Sequence, residues 1–303
     1  MKHLILALVV AMPGVLPTLA TAQAEQHLRF KWAAGLSLNC TSTQEMTREV
    51  GGGLLEDSKS SWTITYDTKR EVTQVTAEGV ATVKETYQRA RVVAEEDGAR
   101  REFDSAKRGD QPEREDPMIK PFAAFAGKSY EFDVDAEGRV LAVRGVQEVL
   151  KDATPSAGGG LDGVLGGMMA AVITEDSIKE SIEQSLRVVP AKPVKAGDTW
   201  GVERKVPVPA LGAVTQKLSF TLTRFESGRK RAVIEATGST DMGGGMLGIK
   251  VTKSAVKATH VFDIDLGQIV ESKADQTTEA QMGDDDAMIT IKLTQRATYK
   301  AKP

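Results

Sequence analysis

Acidic side chains are the first candidates for chemistry. In Tyr130-Glu131-Phe132-Asp133-Val134-Asp135-Ala136-Glu137-Gly138 the acids Asp133, Asp135 and Glu137 fall at the first, third and fifth places of a loop whose sixth residue is Gly138. That is how a calcium-binding EF-hand loop begins. The twelfth place, where a bidentate glutamate closes such a loop, holds Arg144, and the flanks alternate as strands do. A tight turn between two strands accounts for the same residues, with the acids favouring the turn and Gly138 taking a positive φ.

Other constellations are weaker still. Ser254-Ala255-Val256-Lys257 has the spacing of an acyl-transfer Ser-x-x-Lys pair, but it lies in an alternating strand, where residues three apart face opposite sides. Asp284-Asp285-Asp286, between Gly283 and the run Met288 to Leu293, reads as an exposed hairpin tip. One cysteine, Cys40, cannot build a Cys/His zinc cluster or an internal disulfide, and it reads as a strand residue on the face of Leu36 and Leu38. There is no His-Glu-x-x-His, no Gly-x-Ser-x-Gly and no phosphate loop. The expectation is a protein that is not an enzyme, with no catalytic residue, metal or cofactor; a hydrolase of unrecognised type is the least favoured reading. His260 is the polar residue to watch, because it shares one face with Val256, Ala258, Phe262 and Ile264. It is either a hydrogen-bonded core histidine or part of a cavity lining.

Lys2 and His3 precede an apolar run from Leu4 to Leu16, and small-x-small sites follow at Ala20-Thr21-Ala22 and Ala22-Gln23-Ala24. This pattern predicts a secretory signal peptide over residues 1-24 and a protein that is exported, periplasmic or extracellular, soluble and not lipid-anchored. Pro13, Gly14 and Pro17 interrupt the run, and no later segment has the length of a membrane helix. With 39 basic and 42 acidic residues the chain lacks the basic excess that nucleic acid requires.

The elements that would carry any site are mainly strands. Leu28/Phe30/Trp32, Leu36 to Cys40, Trp62/Ile64/Tyr66, Val72 to Tyr87, Leu218/Phe220/Leu222, Leu247 to Ile264 and Ile289/Ile291/Leu293 repeat every second residue. Alternation predicts antiparallel sheet with one buried face. Glu95 to Asp116 mixes both charge signs and reads as a solvated hairpin or loop tacked down by Phe103, and Pro117 to Gly127 as a short helix. Residues 146-190 form a glycine-rich helical bridge: acids Glu175 and Asp176 open a helix whose stripe is Ile178, Ile182 and Leu186. The bridge separates a first antiparallel β unit, 25-145, from a second, 191-303. Gly35 is followed 103 residues later by Gly138 in the Phe132-Asp133 hairpin, and Gly197 is followed 70 residues later by Gly267 after Phe262-Asp263. The expected fold class is therefore mainly β (α+β): a curved antiparallel sheet or half-barrel, built from one sheet or from two related β units, with the bridge packed on it.

Leu28-Arg29-Phe30-Lys31, Gly35, Phe132-Asp133-Val134-Asp135, Pro190-x-x-Pro193-Val194-x-x-Gly197-Asp198-x-Trp200 and Phe262-Asp263 with Gly267 together resemble a family of exported bacterial proteins that carries only a domain-of-unknown-function label. The resemblance covers nearly the whole mature chain, and it implies export and a β architecture but no activity. At the level of fold alone, the chain is also similar to periplasmic lipoprotein carriers, in which helices close the concave side of a curved antiparallel sheet.

Three glycine triplets run directly into apolar residues: Gly51-Gly52-Gly53-Leu54, Gly158-Gly159-Gly160-Leu161 and Gly243-Gly244-Gly245-Met246. Loose backbone beside bare apolar side chains predicts either loops that fold back on the core or a soft rim in which Leu54, Leu161, Met168, Met169 and Met246, with His260, meet a ligand. The function expected is a non-catalytic envelope protein that binds a lipid or other apolar or amphipathic ligand. The alternative is a structural or interaction module that docks an envelope protein. Intact-mass measurement on exported protein is expected to place the mature N-terminus at Gln23 or Glu25, whereas retention of residues 1-22, or a lipid adduct on Cys40, contradicts the leader.

Overall fold

A computed structural model of the chain describes residues 25–52, 57–96, 98–116, 119–148, 175–208, 212–242, 249–282 and 289–303. Twelve strands form one antiparallel sheet: β1 (Ser37–Gly51), β2 (Ser58–Val75), β3 (Ala81–Glu96), β4 (Ala99–Asp104), β5 (Ser129–Val134), β6 (Val140–Arg144), β7 (Thr199–Val208), β8 (Gly212–Glu226), β9 (Arg231–Met242), β10 (Ile249–Asp263), β11 (Gln268–Met282) and β12 (Ile289–Lys302). Their order is β6-β5-β3-β2-β1-β12-β11-β10-β9-β8-β7, with β4 appended to β3. The two strand-rich halves are two meanders joined where β1 pairs with β12, from Asn39↔Lys302 to Gly51↔Thr290.

Alternation does in three dimensions what its period requires. Along β12 every second residue, including Ile291, Leu293 and Tyr299, is drawn out of solvent while Thr290, Lys292 and Arg296 are exposed. The outward face carries charge ladders. Lys59, Glu49, Lys292, Glu279 and Lys253 stand opposite one another across five strands, with Glu49 at 3.0 Å from Lys59 and 3.5 Å from Lys292, and Glu279 at 3.6 Å from Lys253. Each exposed pair is worth only about 0–1 kcal/mol. Their consequence is that this face is solvated.

The inner face is capped at two places. One end of the sheet is crossed by residues 26–35. Gln26 pairs with Val194, Lys31 N–H donates to Gly267 O at 3.1 Å, the Trp32 indole donates to Asp135 O at 3.0 Å, and Gly35 N–H donates to Val72 O at 2.9 Å. Phe30 is the wedge of this strap. Its ring centroid lies 5.8 Å from that of Phe262 on β10, and a methyl group on Gly138, between β5 and β6, would stand 3.1 Å from its ring. Strands β10 and β5 are six places apart, roughly 29 Å in a flat sheet. One phenyl ring can touch both only because the sheet bends around it.

Helix α2 (Glu175–Leu186; α1 is the single turn Lys120–Ala123) closes the same gap. Leu186 is buried, and Ile178 and Ile182 pack on the cluster that contains Phe30, Phe132, Phe220 and Phe262, as the apolar stripe predicts. The glycine-rich part of the bridge, together with the Asp284-Asp285-Asp286 tip, lies outside the described residues. The second cap is the excursion after β3. It departs from the expected loop in containing a sheet strand, β4, whose Phe103 is buried with Ile119 and Ala123 of the α1 segment against Ile64 and Val92. Arg89 donates to both oxygens of Asp104, which holds that carboxyl down at about 2 and pins the strand's end.

The glycine echoes fall on matching turns. With β4 set aside, the first meander runs β1-β2-β3-β5-β6 and the second opens β7-β8-β9-β10-β11. Gly35 and Gly197 each precede a first strand and donate to the end of the second, at Val72 O and Leu222 O. Gly138 (φ +82°) and Gly267 (φ +67°) each turn the fourth strand into the fifth, in a backbone region that favours glycine. The excursion before β5 accounts for the longer first spacing.

Replacing Phe30 by Ala should cost about 3–5 kcal/mol, through lost burial and a residual cavity, while Leu141→Ala on the exposed edge β6 should cost little. Denaturant melts compare the two. Small, equal effects would show that the strap does not hold the bend.

Candidate ligand-binding face

Between the two caps the inner face of the central strands has a floor of small residues. Ala236, Ala258, Ala274 and Ala297 stand directly opposite one another on β9, β10, β11 and β12. Larger residues continue the same level at each side: Phe220 and Trp200, with ring centroids 5.9 Å apart, beyond β9, and Ile64, Val92 and Phe103 beyond Gln44 of β1. Small side chains in the centre and large ones at the flanks leave a trough. Above the floor, Val256, Leu293 and Ile291 are half-buried and belong to none of the three apolar clusters of the described residues. Trp200 Nε1 and Thr240 Oγ1, on this face, are buried without a partner among the described residues.

His260 lies on the inner face, one level below the alanine row. Its Nδ1 is 2.8 Å from Ser272 Oγ, the residue directly opposite on β11, and its ring is 6.3 Å from Phe220. Burial pulls the imidazole down to about 4, so at neutral pH it is an uncharged hydrogen-bonding group. Further toward the strap, Thr68 and Arg70 both donate to Glu85, and Cys40 Sγ is 3.3 Å from Tyr299 Oη. Burial pushes the Cys40 thiol up, which keeps it protonated and inert.

The sequence-predicted site residues divide sharply. His260 is on the inner face; Leu54, Leu161, Met168, Met169 and Met246 lie outside the described residues. The described strand ends that flank positions 54 and 246, at β1/β2 and β9/β10, are at one end of the sheet, opposite the strap. The chemistry-bearing patterns are accounted for structurally. Asp133 is paired with Arg144, and Asp135 Oδ1 accepts the backbone N–H groups of Glu137 and Arg139, so the hairpin's acids hold its turn and its register. Ser254 accepts from Thr240 N–H while Lys257 is exposed on the opposite face. No group of three His, Cys, Asp or Glu among the described residues is placed to hold a metal ion. Sequence reasoning missed the alanine row. Each alanine sits in an alternating strand, and only the register lines them up.

A polar cleft of about 500 Å³ between the β4 excursion and the end of α1 is lined by Ser105, Lys107, Asp110, Gln111 and Arg114. Gln111 bonds Asp104 N–H and O and Lys107 O across its base. Its lining is solvated and of both signs, the environment of a surface loop.

The His260 geometry has a pH consequence. The folded state keeps the ring neutral down to about 4, whereas the unfolded ring takes up a proton near 6.5, so this residue's contribution is fully present above 6.5 and lost as pH falls through that window. Denaturant melts at steps from pH 7 to pH 4 should show wild-type stability declining more steeply than that of His260→Gln. Identical slopes would contradict a buried neutral imidazole.

Comparison with solved structures gives partial likenesses. A lipovitellin chain, described for its lipid–protein interactions, shares 9% identity at a TM-score of 0.47, covering 90% of this chain and 26% of that one, so this chain spans about a quarter of lipovitellin's length. DynF of the dynemicin biosynthesis pathway of Micromonospora chersina gives 6% identity and a TM-score of 0.20 over 95% of this chain and 91% of that one. An engineered Rhodopseudomonas blastica porin gives 11% identity and a TM-score of 0.20 over 88% and 100%. No curated protein matches the sequence. No described helix is long and apolar enough to cross a membrane. The model of a family of unknown function, DUF6263, matches residues 78–278, from the β2–β3 turn into β11, and the chain belongs to that family.

Proposed function

We propose that the protein is a non-catalytic, exported binding protein of the cell envelope that holds an apolar or amphipathic ligand against the inner face of its sheet. The observation that carries this reading is the polarity of the two faces. The outer face of the central strands bears ladders of Lys, Arg, Glu and Asp, while the inner face bears Ala274, Ala297, Val256, Leu293 and Ile291, which belong to none of the apolar clusters of the described residues. A membrane barrel has the reverse arrangement, apolar outside and polar within, so a lipid-facing outer surface is incompatible with these ladders. An apolar interior walled by a bent sheet is the arrangement that shelters an apolar molecule from water. The neutral His260–Ser272 pair, and the Trp200 and Thr240 atoms that have no partner among the described residues, offer hydrogen bonds to a ligand's polar end.

In this reading the end opposite the strap, where the described strand ends next to positions 54 and 246 lie, is the mouth; the adaptable rim expected of Leu54, Leu161, Met168, Met169 and Met246 is part of the proposal and falls on residues outside the described ones. The alternative of a docking module rests on the open edges β6 and β7 and on Leu141, which is 51% exposed on β6.

Mass spectrometry of an organic extract of the purified mature protein is expected to show a lipid or comparable apolar molecule in stoichiometric amount. Replacing Leu54, Leu161 and Met246 together by Ser should remove that ligand and leave the melting curve nearly unchanged. An empty extract from a protein that also takes up no apolar dye would overturn the binding reading. Loss of several kcal/mol in the triple variant would overturn the rim.

A further inference from the structure

The lining of the trough also constrains the charge of what it holds, and the inference below rests on the binding reading just given. On the inner face of β1 to β4 and β9 to β12, among the described residues, each arginine is matched by an acid. Arg70 is 2.8 Å from Glu85, Arg48 is 3.8 Å from Glu96, and Arg101 is 3.1 Å from Glu96 and 2.8 Å from Asp116. Among the described residues of these strands no surplus cation is left to meet an anionic headgroup, and no surplus acid to meet a cationic one. What the centre offers instead is amide. Gln276 of β11 and Gln295 of β12 are directly opposite each other, and Gln44 of β1 stands opposite Ala297, two residues from Gln295 and therefore diagonal to it. Gln44 and Gln295 have no side-chain hydrogen-bond partner among the described residues, and Gln276 makes one long contact, 3.4 Å, to Thr278. Primary amides both donate and accept, so three of them together satisfy hydroxyl, ester or amide groups and supply no counter-charge.

We infer that the ligand is an uncharged amphiphile, an acyl chain bearing a hydroxyl, ester or amide head, whose chain lies on the alanine floor and whose head is read by Gln44, Gln276 and Gln295. An ionised carboxylate or phosphate brought to the glutamines of β1, β11 and β12 would leave water without a cation on those strands to pair with, and the site discriminates against it for that reason. The alanines set the depth available to the chain. The glutamines set which head is accepted.

The test uses the full mature chain loaded with the neutral dye N-phenyl-1-naphthylamine, displaced in turn by monooleoylglycerol and by oleate at about pH 8, where the carboxylate is ionised. The two competitors have the same chain and differ in the charge of the head. Monooleoylglycerol is expected to displace the dye at least about tenfold more effectively than oleate. Gln295→Lys, at a half-exposed position that the core does not depend on, should narrow or invert that preference by supplying the missing cation. Equal displacement by the two competitors of the wild type, or an unchanged preference in Gln295→Lys, overturns the inference while leaving apolar binding intact. Failure of the dye to bind at all overturns both.

Discussion

Two neighbouring residues of one helix hold strands that the sheet order sets nine places apart. Glu183 accepts from the backbone N–H of Val140 on β6 at 3.2 Å, and Gln184 donates to Gln216 on β8 at 3.0 Å. A flat sheet would separate those strands by roughly 43 Å. Closure is therefore the constraint that the rest of the molecule meets. The two hydrogen bonds mark it, at about 0.5–1.5 kcal/mol each, but burial supplies most of the driving force: Phe30, Leu28, Leu186, Phe132 and Phe262 come from the strap, the helix and both meanders into one cluster. Losing any of them weakens contacts on strands far apart in the sheet.

Closure makes the two faces unequal in surroundings as well as in polarity. The outward side chains of the central strands pair across neighbours and stay in water, while the inward ones gather around a common space. Large residues at both flanks of that space and alanines at its centre keep the middle from filling itself, as a core built of Leu and Ile would. Among the described residues of the central strands the polar groups on this side are neutral or matched, from His260 with Ser272 to Arg70 with Glu85. Such a surface is compatible with an apolar occupant and offers little to an unpaired ion.

Much of this was legible from the order of residues, and the parts that were not share a cause. The strands followed from alternation, because a period of two is a local property, and the Gly138 turn followed from acids next to a glycine. The stripe of Ile178, Ile182 and Leu186 likewise predicts which side of α2 is buried. Pairing is not local. Nothing near Cys40 or Ala301 announces that β1 and β12 lie side by side, and without that register the row of Ala236, Ala258, Ala274 and Ala297 is four unremarked residues. The charged stretch after Glu95 reads as solvated loop because its outward residues are charged; that Phe103 brings β4 into the sheet depends on Ile119 and Ala123, which arrive from beyond it. His260 stands out by its apolar neighbours, but its partner Ser272 comes from the next strand.

The central claim is that the inner face of β11 and β12, and not the outer one, receives the ligand. Single cysteines placed at Ala274 and Ala297, inward, and at Lys273 and Thr298, outward, in a Cys40→Ser background report on each face through their rate of alkylation. The account predicts that saturating monooleoylglycerol slows the reaction at Ala274→Cys and Ala297→Cys by at least about tenfold and leaves Lys273→Cys and Thr298→Cys unchanged. Equal protection of both faces, or protection of neither, would contradict it.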